Sequence, residues 1–242
     1  MIQCKIDEYA KTHSRKTTHE VLLKIKTALR DAYFRCYLAN DFAGLVKTRG
    51  KELPKRNKAL SITDFKKLRT HVLEHSDREF NLLVLVALET GMRRGELLGI
   101  RKENLFEYGI KVRRSISPTS TDTSLKTKNS KRDVSINKEV YDLLNQLVVK
   151  ENGYLFDPDG FQQSAKLSRL LKKLDIDRTT FHGLRDTYAS FLFSQEIDIA
   201  YVSQRLGHTN IQTTQNYYLQ LMPEKKHQQD ADALNLLNSL SS

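Results

Sequence analysis

The run FNLLVLVALETG, from Phe80 to Gly91, constrains the fold more than any other stretch of the chain. It is apolar on nearly every side of a helix, and such a helix is stable only when the rest of a domain wraps around it. Its longest uninterrupted apolar part, Leu82 to Leu88, is far too short to span a bilayer. The pattern predicts a buried core helix ended by Gly91, with the polar segment MRRGELLGI emerging directly from its end.

The surrounding segments can be placed around that helix. Val21, Leu22, Ile25, Ala28, Leu29, Ala32 and Cys36 recur at helical spacing and predict one amphipathic helix between Thr18 and Leu38. Residues 47–57, with glycine, proline and clustered cations, read as a basic linker. Ser61 and Asp64 form a capping-box pattern, with Leu60 and Phe65 placed to staple a helix running toward Leu73. Between Tyr108 and Ile136, GIKVRRSI and RDVSI have strand character and predict a small antiparallel sheet. Helical spacing returns in KEVYDLLNQLVV, in SAKLSRLLKKL and after Thr180. The expected class is α+β, mainly α-helical.

Lys plus Arg outnumber Asp plus Glu by 40 to 29, a formal net charge of +11. That excess favours a polyanionic partner, with nucleic acid foremost, although a basic soluble surface alone would give the same count. Cys4 and Cys36 are far apart and no CxxC is present, so neither a disulfide framework nor a zinc site is expected, nor any other cofactor. The first residues lack the apolar core of a signal peptide. A cytoplasmic location, without membrane contact, is the expectation.

Cleaving a phosphodiester requires a nucleophile, positive charge at the non-bridging oxygens and an acid for the leaving sugar oxygen. Arg93 and Arg185 are candidates for the charge, because a guanidinium can donate two bonds to one phosphate. Glu96, one turn beyond Arg93, is placed to hold its guanidinium. His182 and Arg185 stand three apart, on one helix face. His208 follows a glycine suited to a helix end. A free tyrosine is about a thousandth ionised at neutral pH, roughly 4 kcal/mol short of a ready nucleophile, a deficit that nearby cations would offset. Tyr217 and Tyr218 both qualify by position. Lys128, in the turn-like KTKNSK, suits an acid for the leaving oxygen, and Lys126, Lys131 and Arg132 suit phosphate contacts. Each of these residues taken singly also fits an ordinary surface or core position.

Their order along the chain resembles the tyrosine recombinases of the phage-integrase type. TGMRRGE resembles the family's first arginine box, TKNSKRDVSI its lysine turn, HGLRDTYAS its histidine-arginine box, LGHTN its second histidine box and TTQNYY its tyrosine box. The resemblance implies a catalytic set of Arg93, Lys128, His182, Arg185 and His208, with Tyr217 as nucleophile and Glu96 as companion of Arg93. Tyr217 is chosen over Tyr218 because it stands three residues after the second Thr of the TT pair and nine after His208.

The implied activity is site-specific DNA recombination through a 3′-phosphotyrosyl link. Implied partners are double-stranded attachment sites, further copies in a homotetramer on DNA, and an excisionase or host DNA-bending protein. The expected organisation is a partial core-binding helical segment over 1–46, the linker over 47–57, a catalytic domain over 58–222, and a terminal helix or tail over 223–242 that docks on its own domain or a neighbour. Type IB topoisomerase-like relaxation and a non-catalytic DNA-binding modulator are the alternatives. Asp186 and Leu219 depart from the family pattern, each standing where many members have histidine.

Overall fold

In the computed structural model, residues 2–52, 59–117, 121–125, 130–158, 160–215 and 234 are described. The chain divides into two compact units, Met1–Asn57 and Lys58–Ser242.

The first unit holds α1 (Ile2–Thr12) and α2 (Arg15–Phe34). Ser14 separates them by capping α2, its hydroxyl accepting from the Thr17 N–H. The apolar spacing predicts a helix only from Thr18 and none over the residues before it. Those residues form a helix of their own and extend the start of α2, because Ile6 and Ala10 bury one face of α1, with Leu22 and Val46 beside Ile6 in a small core. Residues 47–52, expected as linker, are bonded into this unit. The Lys47 N–H donates to Gln3 Oε1 at 2.8 Å, and the Arg15 N–H to the Lys51 carbonyl at 3.0 Å. The rest of the expected linker lies outside the described residues.

The second unit is built around α4 (Glu79–Thr90), whose residues from Asn81 to Leu88 are all buried. α3 (Ile62–Glu74) packs beside it, and the Ser61 hydroxyl accepts from the Asp64 N–H at 3.1 Å as its N-cap. Leu60 and Phe65 both join the main core, and the Phe65 ring stacks on Phe191 at 4.8 Å. α5 (Arg94–Leu98) follows, then a single 3₁₀ turn (Lys102–Asn104) leading to the sheet.

The sheet runs β1 (Leu105–Phe106), β2 (Gly109–Val112) and β3 (Arg132–Ser135) in that spatial order, with antiparallel pairs throughout. Ile110 pairs with Val134 and Val112 with Arg132. The register turns Ile110, Val112, Arg132 and Val134 inward and leaves Lys111, Asp133 and Ser135 outward. α6 (Lys138–Gln146), α7 (Gly160–Lys173), α8 (Phe181–Ser194) and α9 (Ile199–Leu206) complete the described elements. The expected tail lies outside the described residues except for Leu234, which is helical and exposed. No helix among the described residues is long and apolar enough to cross a membrane.

Because Leu85 is fully enclosed, Leu85→Ala should lower stability to urea by roughly 2–5 kcal/mol. Ser61→Ala should lose only the cap, about 1 kcal/mol. Equal losses at the two positions would contradict this core.

Candidate active site

The site begins where α4 ends. Gly91 adopts a left-handed conformation, φ 61°, and a Cβ there would meet carbons of Tyr188 and Leu206 at 2.6 and 2.7 Å. Only glycine meets both demands. Two residues on, Arg93 caps α5 in extended backbone. Its backbone N–H donates to Glu96 Oε2 and its Nη1 to Glu96 Oε1, both at 2.9 Å. The carboxylate thus ties down the guanidinium while the Arg93 side chain stays 41% exposed.

α8 is capped by Thr180, whose hydroxyl accepts from the Gly183 N–H at 3.1 Å. His182 therefore stands in the first turn, where the helix dipole favours an anion. Its side chain is exposed, with Nε2 lying 3.8 Å from Asp186 Oδ1. Arg185, one turn on, is buried. Its Nη1 donates to the Gly91 carbonyl and its Nη2 to the Leu206 carbonyl, each at 2.7 Å, so one guanidinium ties the end of α4 to the end of α9. Burial, then repulsion from Arg93, pulls this guanidinium down to about 9, which leaves it charged at neutral pH.

α9 ends at Gly207, φ 69°. The Gly207 N–H returns to the Gln204 carbonyl at 2.9 Å and the His208 N–H to the Ser203 carbonyl at 3.1 Å, a Schellman closure. The next two carbonyls of the helix end are taken by arginine side chains: Arg132 Nε donates to the Arg205 carbonyl at 2.7 Å, and Arg185 takes Leu206. His208 leaves this turn with Nδ1 2.7 Å from the hydroxyl of Thr214, which is fully buried. Burial, then the charges of Arg185, Arg93 and Arg132, push its imidazole down to about 4, so the ring is neutral at neutral pH.

Arg93, His182, Arg185 and His208 line one cavity of about 230 Å³, with Asp186 and Thr214. Four residues separated by up to 115 positions of sequence thus face the same small volume. Glu96 lies behind Arg93, 1% exposed. Burial by itself would raise its carboxyl, but hydrogen bonds and attraction from Arg132, then Arg93, outweigh that and hold it below the ordinary carboxylate range. Three guanidinium groups and two carboxylates leave the site with an excess of positive charge, which suits a phosphodiester anion.

Lys131 is exposed and lines a second groove, of about 990 Å³, that also includes His208. Arg132 differs from its expectation as a surface phosphate contact. Its side chain is 6% exposed and paired with Glu96 Oε2 at 2.9 Å, because the β3 register turns it inward beside Val134. Lys126, Lys128, Tyr217 and Tyr218 lie outside the described residues.

Residues 57–224 match the Phage integrase family. The chain belongs to this family of tyrosine recombinases. Among its relatives are a tyrosine recombinase XerC-like protein of Caldanaerobacter subterraneus subsp. tengcongensis, 27% identical over 96% of this chain and 68% of that one, and the ICEBs1 integrase of Bacillus subtilis, 29% identical over 76% and 57%. Tyrosine recombinase XerA of Thermococcus kodakarensis is 30% identical over 85% and 73%. The share of a relative's own length that this integrase-family chain spans falls to 45% for transposase A of transposon Tn554 from Staphylococcus aureus. The fold is that of solved tyrosine recombinases. The Tn1549 transposon integrase, determined with transposon right end DNA, superposes with a TM-score of 0.70 at 19% identity, over 89% of this chain and 78% of that one. XerH bound to palindromic difH substrate gives 0.67 at 17% identity, over 96% and 71%.

In the sequence Thr214 is only a marker three residues before Tyr217, and no local pattern identifies its hydroxyl as the partner of His208. The period-two alternation of Arg132, Val134 and Ile136 was the signal that Arg132 points inward.

Glu96→Ala would leave Arg132 buried without its carboxylate and should cost about 3–5 kcal/mol in urea unfolding. A loss below about 1 kcal/mol would contradict the buried pair. His208 binds its proton more weakly folded than unfolded, so its contribution to stability is complete above 6.5 and is lost as pH falls from 6.5 toward about 4. His208→Asn should flatten the stability curve in that window, and an unchanged slope would count against the buried ring.

Proposed function

We propose that this chain carries out site-specific DNA recombination, moving a mobile element by cutting and rejoining DNA strands through a 3′-phosphotyrosyl link. The observation that carries the reading is the convergence of Arg93, His182, Arg185 and His208 on one cavity. Thr214, which holds His208, is three residues before Tyr217. Covalent reach alone keeps the Tyr217 backbone within about 11 Å of Thr214.

In this reading a DNA phosphate enters the cavity and its non-bridging oxygens take hydrogen bonds from Arg93 and Arg185. Among the described residues two of the five N–H donors of Arg185 are committed to carbonyls, and in this reading the anion takes a hydrogen bond from those that remain. With the Thr214 hydroxyl donating to Nδ1, the neutral His208 ring carries its proton on Nε2 and donates as well. The Tyr217 hydroxyl loses its proton with help from His182, whose ring is exposed at the cavity. Its oxygen then bonds to phosphorus as the bond to the 5′ oxygen breaks, and Lys128 gives that oxygen a proton. The phosphotyrosyl ester conserves the bond energy, so attack by another 5′ hydroxyl reverses the chemistry on a new strand. The net charge of +11 suits the duplex partner, as do relatives solved with DNA.

The test is a pool of nicked duplexes with randomised cores, from which adducts that survive detergent are recovered and sequenced. Wild type should select a defined core and Tyr217→Phe should trap nothing. Loss of trapping in Tyr218→Phe but not Tyr217→Phe would move the nucleophile, and no adduct with any duplex would remove the cleavage reading. Arg93→Ala and Arg185→Ala should each slow trapping by about 100-fold or more. Binding to the selected duplex should weaken by orders of magnitude between about 50 and about 200 mM salt.

A further inference from the structure

Arg132 is expected from sequence as a phosphate contact, yet each of its three nitrogens donates to an acceptor inside the protein, although its edge also lines the groove shared with Lys131. Nη2 donates to Glu96 Oε2 at 2.9 Å, Nε to the Arg205 carbonyl at 2.7 Å and Nη1 to the Ser130 carbonyl at 3.2 Å. These acceptors belong to separate parts of the site. Glu96 anchors Arg93, the Arg205 carbonyl ends the helix that presents His208, and Ser130 leads into β3. The guanidinium also lies close against the turn before His208, where a Cβ on Gly207 would meet its Nη1 at 2.8 Å. The contact is reciprocated, since Arg205 donates from Nη2 to the Ser135 carbonyl at 2.6 Å and from Nε to the Tyr188 hydroxyl. β3 is therefore clasped to α9 at both ends.

We propose that Arg132 is a positioning residue: without touching DNA, it locks the Arg93–Glu96 segment, the Gly207–His208 turn and the start of β3 into one frame, so that the cavity's donors meet a phosphate already aligned. A planar fork with fixed donor directions can hold a carboxylate and a helix-end carbonyl at once, whereas a lysine ammonium at this position is a single flexible point charge. Placement of this kind affects rate more than affinity, because a misalignment of about 1 Å costs about two orders of magnitude in rate. The proposal deepens the recombinase reading, and its kinetic test rests on that reading.

Wild type, Arg132→Lys and Arg132→Met would be compared for thermal melting, for the ¹⁵N and ¹³C ring resonances of His208 in the DNA-free protein at neutral pH, and for affinity and single-turnover cleavage on the duplex selected above. Arg132→Lys keeps a cation beside Glu96 and is the variant that decides if Arg132→Met does not fold. Arg132→Lys should bind DNA within about threefold of wild type, cleave it about 100-fold more slowly and shift the His208 ring resonances. The proposal is overturned if those resonances superimpose on wild type, if cleavage is unchanged, or if affinity and cleavage fall together as they would for a direct DNA contact. Should wild type cleave no duplex, the recombinase reading fails on its own account. The resonances then decide the frame alone: unmoved they overturn it, moved they uphold it.

Discussion

The structure of the site depends on how one helix end is satisfied. α9 leaves four carbonyls without partners inside the helix. The Schellman turn at Gly207 takes those of Ser203 and Gln204, and the guanidinium groups of Arg132 and Arg185 take those of Arg205 and Leu206. A buried carbonyl without a donor is costly, so each arginine is held where its carbonyl is. Each in turn holds something else: Arg185 the end of α4 through Gly91, and Arg132 the carboxylate of Glu96. The position of His208, of Arg93 and of the cavity between them follows from these few bonds.

Gathering like charges is the price of such an arrangement. Arg93, Arg132 and Arg185 repel one another and His208, and burial sharpens the repulsion. Glu96, shared between Arg93 and Arg132, offsets part of it. Neutral carbonyls at helix ends contribute partial negative charge where a second buried carboxylate would weaken anion binding. His208 responds by staying unprotonated, which leaves a neutral donor beside an anion site instead of another cation in a crowded interior. Two glycines make the close approach possible, Gly91 against Tyr188 and Leu206, and Gly207 under Arg132.

Much of the fold was legible in sequence because local periodicity and local burial agree. The all-round apolar pattern of α4, the Ser61 cap of α3 and the strand character of GIKV and RDVS each correspond to an element whose buried face lies where the pattern puts it. α1 was passed over because its buried residues, Ile6 and Ala10, are too few to mark an eleven-residue helix, and its partners come from Leu22 and Val46 farther along. Arg132 was misplaced because a cation in a basic stretch suggests solvent. The alternation with Val134 and Ile136 pointed inward, and only a buried carboxylate 36 residues earlier makes that placement tolerable.

By itself, the sequence determined the core helix, the small sheet, the excess of positive charge and the residue types required for phosphate chemistry, because each is written in composition or in spacing along one element. The tertiary structure decided which of those residues share a cavity and which serve the frame behind it. Arg93, Arg132 and Arg185 are chemically alike, and apart from the strand alternation that turns Arg132 inward, nothing in their local patterns ranks them by exposure. That distinction comes from partners contributed by other elements: Arg185 is buried where two helix-end carbonyls receive it, and Arg132 where Glu96 and the end of α9 do. Arg93 alone of the three keeps an exposed side chain facing the cavity, held from behind by the carboxylate it shares.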